Sequence, residues 1–81
     1  MRQLSEALKK IKDKQVDIYT EHKLFGAQHI QGVFEPETEI GFGFRFKEQI
    51  IYIDKDKVVD WCVEDSQIRI NSDLMQIIII V

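Results

Sequence analysis

The sequence contains few of the residues that cross-link a chain or carry it through a membrane. It has one cysteine, Cys62, so no disulfide can form within it. Its longest unbroken hydrophobic run is five residues, far shorter than a membrane-spanning helix requires. The N-terminus begins with Met1-Arg2-Gln3 and an amphipathic segment, where a signal peptide would have an apolar core. We therefore expect a cytoplasmic protein that does not bind membranes.

Positive charge is also scarce. Eleven lysines and arginines stand against fourteen acidic residues, which gives a net charge of −3. This balance disfavours broad non-specific nucleic-acid binding, because such binding depends on neutralising phosphates. The charges are uneven, with four early lysines and three central glutamates: Lys9, Lys10, Lys12, Lys14, Glu35, Glu37 and Glu39. The simplest interpretation is that both clusters are solvated surfaces.

Hydrophobic periodicity predicts one helix followed by short strands. Leu4, Ala7, Leu8 and Ile11 recur at helical spacing, which predicts an amphipathic helix over residues 2–14. Alternating or β-branched segments predict strands at residues 16–20, 30–35, 40–47, 50–53, 58–63, 67–70 and 75–81. Residues 21–28 are predicted as a loop in which Leu24 and Phe25 turn back toward the core.

The predicted architecture follows from the size of the chain and its short connections. Eighty-one residues with 44% hydrophobic content suffice for one domain, residues 1–81, with a small core. Short connections favour antiparallel pairing, because parallel strands need long crossovers. The expected fold is α+β and mainly β, with the helix capping a small antiparallel barrel of five to six strands. Domains of this size often gain stability by forming oligomers.

The most apolar segment is the run at residues 77–81, in which every residue is β-branched. Such residues favour the pleated backbone, and a strand without polar positions needs cover on both faces. An uncovered strand of this kind recruits other chains. We therefore expect the segment to close the barrel or to pair with another subunit. The residues assigned to this interface are Met75, Ile77, Ile78, Ile79, Ile80 and Val81.

The strand at residues 40–47 carries three phenylalanines on one face and two glycines on the other. The simpler interpretation makes the rings the main core face, because three rings in water would form a costly apolar patch. The alternative is a nucleic-acid surface, since exposed rings on strands stack against bases. The residues assigned to that surface are Phe42, Phe44, Arg45, Lys47, Tyr52, Lys9 and Lys10.

Two family resemblances bear on this strand and on the order of elements. Gly41-Phe42-Gly43-Phe44 resembles the RNP motifs of RNA-recognition and cold-shock domains, although Ile40 stands where those families have a basic residue. Residues 3–63 are similar in element order to the Sm/Hfq small-barrel plan. That resemblance implies an SH3-like, helix-capped barrel of five strands whose subunits join into RNA-binding rings. The Tyr-Lys-His signature of Hfq falls on Tyr52-Ile53-Asp54, so its RNA-binding residues do not carry over.

Catalytic and metal-binding patterns find little support in the sequence. His22 and His29 are separated by six residues, whereas zinc sites usually supply ligands in close pairs. Neither histidine has a nucleophile beside it, and Cys62 lies in an apolar strand, where a buried thiol is inert. Glu35, Glu37 and Glu39 lack the glycine turn of a calcium loop. We expect no enzyme, metal or cofactor.

The sequence favours a non-enzymatic protein-interaction module that forms homo-oligomers through its C-terminal strand, with Trp61 as a candidate interface anchor. The three glutamates are a second candidate surface, which would steer a basic partner protein or mimic phosphate. The alternative function is a single-stranded RNA- or DNA-binding barrel. Binding that weakens steeply with salt would support that alternative.

Overall fold

The computed structural model describes residues 2–35 and 37–81. It contains one helix, α1 (Arg2–Lys10), and seven strands: β1 (Gln15–His22), β2 (Gly26–Phe34), β3 (Gly41–Phe46), β4 (Gln49–Asp54), β5 (Val58–Val63), β6 (Gln67–Ser72) and β7 (Met75–Ile80). A short 3₁₀ helix, Lys55–Lys57, connects β4 to β5.

All strand pairs are antiparallel and form one curled sheet in the order β4-β3-β2-β1-β7-β6-β5. The first four strands form one meander, the last three form another, and the pairing of β1 with β7 joins them. The result is a half-barrel with one short N-terminal helix, which confirms the mainly β, antiparallel prediction. All seven segments predicted as strands form, but the prediction that only five to six of them make up the barrel is wrong, because the C-terminal hairpin lies inside the sheet. The Sm/Hfq resemblance covers residues 3–63 alone and therefore does not include that hairpin.

The helix is shorter than the periodicity predicts. α1 ends at Lys10, and the next residues form a turn in which Asp13 has a φ of 64°. This left-handed backbone conformation is incompatible with continuing a right-handed helix. Ile11 nevertheless keeps the buried position that its helical spacing predicts.

The core lies between α1 and the inner side of the curled sheet. Phe34 and Phe44 lie at its centre with ring centroids 5.5 Å apart. The buried members come from α1, the turn after it and every strand except β5: Leu4, Leu8, Ile11, Val16, Ile18, Ile30, Phe34, Phe42, Phe44, Ile53, Ile68, Ile70, Ile77 and Ile79. Trp61 and Val58 of β5 are partly buried and pack against this cluster. Trp61 therefore packs mainly against the core.

The hairpin between β1 and β2 is tighter than predicted. The register pairs His22 with Gly26, so only three residues form the turn. Gly26 has a φ of 82°, a conformation that glycine adopts without a steric cost. Leu24 and Phe25 do not turn back to the core and are 75% and 79% exposed. That expectation is wrong because so short a turn cannot fold back onto the sheet.

Candidate interaction surface

Strand alternation gives the sheet an inner and an outer side. Across β1 and β7 the register pairs Ile18 with Ile79 and Tyr19 with Ile78. Ile18 and Ile79 are fully buried on the inner side, whereas Tyr19 is 45% exposed. The central outward positions form a surface that we call the outer face: Ala27, His29, Gln31, Asp17, Tyr19, Glu21, Gln76, Ile78, Ile80, Gln67, Arg69 and Asn71.

Half of the predicted C-terminal interface belongs to the core. Ile77 and Ile79 have no exposed surface, and Met75 packs against the same cluster. Both edges of β7 are hydrogen-bonded within the chain, one to β1 and the other to β6. Backbone pairing with another subunit is therefore not open to β7. The tail instead joins the two meanders within its own chain, and it does not close a barrel, because the sheet is an open half-barrel.

The other half of that interface lies outside the core. Ile78 is half-buried, and Ile80 and Val81 are 39% and 48% exposed. A strand with apolar side chains on both sides is typical of a sheet that is covered on both sides. Within residues 2–35 and 37–81, only the inner side of β7 has such cover. The outer side of β7 thus carries an apolar strip, formed by Ile78 and Ile80, at the centre of the sheet.

Tyr19 is held in place beside this strip. Its ring stacks on His29 with centroids 4.4 Å apart and planes inclined by 8°. His29 Nε2 lies 3.1 Å from Asp17 Oδ1, and Gln31 Nε2 donates to the same oxygen at 3.2 Å. The hydrogen bonds with His29 and then Gln31 hold the pKa of Asp17 below its usual value. Because these contacts order the Tyr19 ring in advance, docking against it costs little side-chain entropy.

The outer face also has a hollow and an arginine, Arg69, with one nitrogen that lacks a hydrogen-bond partner among the described residues. The hollow has a volume of about 300 Å³ and lies between the Tyr19–His29 stack and Gln76, with Ala27 at its side. Arg69, which pairs with Ile78 in the register, has a buried Nε atom without a hydrogen-bond partner among the described residues. An unpaired buried donor is destabilising. Because this atom has no exposed surface, a partner's acceptor can satisfy it only if the Arg69 guanidinium turns toward that partner.

The rings assigned to nucleic-acid stacking are not accessible. Phe42 and Phe44 are 1% and 0% exposed, and Phe46 is half-buried against the same core. No base can stack on a ring that the core encloses, so the assignment of Phe42 and Phe44 to a stacking surface is wrong. The simpler interpretation of these rings as core residues is confirmed.

The other residues of that set do not gather on one surface. Lys9 and Lys10 are exposed on α1. The rest contact neighbours on the sheet or in the β2–β3 connection: Arg45 contacts Glu35 at 3.0 Å, Lys47 lies 5.3 Å from the Phe46 ring, and the Tyr52 hydroxyl lies 2.8 Å from Thr38 Oγ1. The five residues are thus divided between α1, β3, the β3–β4 turn and β4, and the last three are each in contact with a neighbouring side chain.

Two of the three central glutamates are paired within the chain. Glu35 contacts Arg45, and Glu37 connects α1 to the 3₁₀ helix. Ser5 Oγ donates to Glu37 Oε2 at 2.9 Å, and Lys55 Nζ lies 2.5 Å from the same oxygen. Only Glu39 is fully exposed, so the cluster offers less free negative charge to a basic partner than its sequence suggests.

The electrostatics of Glu37 reflect this connecting position. Its side chain is 15% exposed. Burial is the largest influence on the pKa of Glu37 and raises it, but hydrogen bonds from Lys55 and Ser5 and the charges of Lys55 and Lys9 outweigh burial. The net effect is a lowered pKa. The ionised carboxylate therefore stabilises the packing of α1 on the sheet.

We expect Glu37 to make the fold sensitive to acid. Since its pKa in the folded state lies below the ordinary value of 4.5, the unfolded chain takes up the proton more readily. Its contribution is fully present above that ordinary value and is lost as the pH falls through the folded-state pKa. Glu37→Gln should lower the free energy of unfolding at neutral pH by about 1–2 kcal/mol. Urea denaturation over an acid series should show a shallower pH dependence for this variant.

The control for this prediction is Glu39→Gln. Glu39 is exposed and forms no ion pair with the described residues, so its replacement should leave both the stability and its pH dependence unchanged. Equal acid sensitivity in the Glu37→Gln variant and the parent protein would contradict the assignment.

The remaining candidate chemistry is dispersed. Cys62 is exposed, contrary to the expectation from its apolar neighbours, because alternation along β5 directs it away from Trp61. His22 Nδ1 accepts a hydrogen bond of 3.0 Å from the Leu24 N–H, at the end of β1. His29 contacts Asp17, near the start of the same strand. In the described segments, no three His, Cys, Asp or Glu side chains come close enough together to hold a metal. Nor does any described helix have the length and apolar character needed to cross a membrane.

Comparisons with known proteins add no family to this description. No family model matches the chain, and searches of curated proteins and of solved structures find no significant similarity. The small-barrel resemblance therefore extends to a β-rich half-barrel, without support for Sm or SH3 membership.

The sequence held part of the signal for the outer face. Alternation in residues 16–20 places Asp17 and Tyr19 opposite Val16 and Ile18, which marks two candidate surface positions. The missing information was that β7 lies beside β1. Without that pairing, the apolar strip of β7 cannot be connected to Tyr19.

Proposed function

We propose that the protein is a non-enzymatic interaction module that forms homo-oligomers by packing the outer faces of two copies together. The observation that carries the proposal is the apolar strip of Ile78 and Ile80 on a central strand, beside an ordered Tyr19. Burying apolar side chains against a second sheet supplies the driving force. Because the edges of β7 are already paired, this packing uses side chains and leaves the backbone ladder intact.

The charges on either side of the strip support a symmetric contact. In a two-fold dimer, the same patch meets itself. A two-fold axis along β7 sets β6 of one copy opposite β1 of the other. Arg69 on β6 would then lie opposite Tyr19 on β1, with the carboxylates of Asp17 and Glu21 one outward position away on either side. This arrangement would bring carboxylate acceptors to the half-buried Arg69 side chain.

The test is to place lysines in the strip. Ile78→Lys combined with Ile80→Lys should abolish the outer-face contact and lower the mass in solution, because two charges would be desolvated in an apolar contact. Both residues lie outside the core, so the far-ultraviolet circular dichroism and the cooperative unfolding transition should be retained. Light scattering measures the mass of parent and variant at equal concentrations.

Two control variants distinguish loss of the outer-face contact from a general effect of an added lysine and from unfolding. Ile50→Lys makes the same change at a 62% exposed position on the edge strand β4, two strands beyond the outer face, and it should leave the mass unchanged. Ile77→Lys changes a fully buried neighbour and should unfold the chain. A parent protein that is monomeric at every concentration, or a double variant that keeps the parent mass, would refute the proposal.

A further inference from the structure

Two adjacent turns form an apolar projection at one end of the sheet. Leu24 and Phe25 lie in the β1–β2 turn, and Leu74, which is 47% exposed, lies in the β6–β7 turn. The Lys23 N–H donates to the Leu74 carbonyl oxygen at 2.9 Å, which holds the two turns side by side. We call Leu24, Phe25 and Leu74 the tip. Three exposed large apolar side chains on neighbouring turns form a patch of the kind that marks interaction sites.

The tip is held in a defined conformation. Leu24 donates its N–H to His22 Nδ1 at 3.0 Å, and the His22 and Phe25 rings pack with centroids 4.7 Å apart. Gly26 supplies the left-handed residue that closes the turn. An ordered projection of this kind loses little conformational entropy on insertion into a complementary site.

A groove of about 710 Å³ lies at the other end of the same strands. Its volume is in the range of pockets that accept whole small ligands, so it has room for two large side chains. Its apolar wall comes from α1 and the turn after it, from the start of β1, from the β5–β6 hairpin and from the end of β7: Ala7, Ile11, Val16, Val63, Ile68, Ile80 and Val81. We call this site the groove.

The charges around the two sites are complementary. Lys10 and Lys14 lie along one side of the groove, and Glu64 and Asp65 lie along another. Glu21 and Lys23 flank the tip, so insertion would present one charge of each sign. None of these six residues forms an ion pair within residues 2–35 and 37–81. Each is therefore available to a partner.

The tip cannot reach the groove of its own chain. The groove is lined by the first residues of β1, and the tip begins after the last residue of that strand. Eight extended residues separate the two ends by about 23 Å. A projection at one end and a recess at the other end can meet only between copies, and such a head-to-tail contact does not close on itself in the way that a two-fold contact does.

From this arrangement we infer that the tip of one copy inserts into the groove of a second copy, forming a head-to-tail contact. It differs from the packing of the outer faces, although Ile80 lines the groove as well as the outer face, and it does not use Ile78. Leu24 and Phe25 fill the apolar part of the groove. Lys23 approaches Glu64 and Asp65, and Glu21 approaches the two lysines. The contact continues from copy to copy, so the assembly grows with concentration.

The experiment begins with Ile78→Lys, which removes the outer-face contact but does not line the groove. In this background, light scattering should still show a mass that rises with concentration. Adding Leu24→Ser and Phe25→Ser gives a tip variant, and adding Glu64→Lys and Asp65→Lys gives a groove variant. Each should weaken association by at least about tenfold. All four altered side chains are exposed, so folding should be retained. Ile40→Ser changes another exposed apolar residue and is the matched control.

Mixing the two variants is the decisive step. The tip variant keeps an intact groove and the groove variant keeps an intact tip, so an equimolar mixture can form one productive contact. Light scattering should then report a mass that stops at the dimer. A mixture that stays monomeric, or an Ile78→Lys protein whose mass is unaffected by either set of changes, would overturn the inference. Because Ile78→Lys is present throughout, these results do not depend on whether the outer faces pack.

Discussion

Replacing Phe44 with alanine is expected to remove a large part of the stability of the fold. Phe44 is fully buried, pairs with Phe34 on β2 and Ile51 on β4, and lies at the centre of the core. Losing a buried phenylalanine side chain costs about 3–5 kcal/mol, because the transfer free energy is lost and a cavity remains. A domain of 81 residues has a total stability of roughly 4–12 kcal/mol. Urea denaturation followed by circular dichroism measures the change.

Phe46→Ala is the matched control for Phe44→Ala. The two residues share a strand and a face, but Phe46 is only half-buried at the end of β3. Its replacement should cost less than half as much, because less apolar surface is returned to water and the neighbouring side chains can relax. Similar costs at the two positions, or a mild effect at Phe44, would contradict the assignment of the phenylalanine face to the core.

The phenylalanine strand illustrates what the sequence predicts well. Side chains on a strand alternate between two faces, so residues 42, 44 and 46 must share a side wherever the strand is placed. Burial then follows from the cost of exposing several rings to water. The same local rule correctly separates Val16 and Ile18 from Asp17 and Tyr19 on β1. Features set by neighbouring residues are therefore predictable from the sequence.

The position of β7 illustrates what the sequence leaves open. The β-branched run at its end predicts a strand inside a sheet, but several other strands could be its hydrogen-bonding neighbours. The observed neighbour, β1, lies at the other end of the chain, and only the full sheet order distinguishes it from the alternatives. The contacts of Asp17 with His29 and Gln31 depend on register in the same way. Pairing between distant segments is a property of the whole fold.

Hydrophobic character alone misled the interpretation of Leu24 and Phe25. An apolar pair in a predicted loop was expected to return to the core, which holds only where the loop is long enough to fold back. The strands extend into that segment, and the three-residue turn leaves both side chains in solvent. Their exposure is therefore a property of the surface that needs a functional explanation.

Gly41→Ala is expected to be the most damaging of the glycine substitutions. Gly41 is buried on the outer side of β3, where the Tyr52 ring of β4 covers it. A Cβ atom at this position would lie 2.7 Å from one ring carbon of Tyr52 and closer still to the Ile53 carbonyl oxygen. The ring can rotate away, but the carbonyl oxygen belongs to the strand paired with β3. The β3–β4 ladder must therefore shift, at a cost of about 3 kcal/mol.

Three further variants identify the cause of that loss in urea denaturation. Gly43→Ala brings a Cβ atom to 2.8 Å from the Ile51 carbonyl oxygen and should cost less than Gly41→Ala. Gly26→Ala meets no atom within 4 Å, so its cost of about 1 kcal/mol reflects the positive φ alone. Adding Tyr52→Ala to Gly41→Ala should restore no stability, because the backbone oxygen remains in place. Full recovery in that double variant would show that the Tyr52 ring, rather than the β4 backbone, requires glycine at this position.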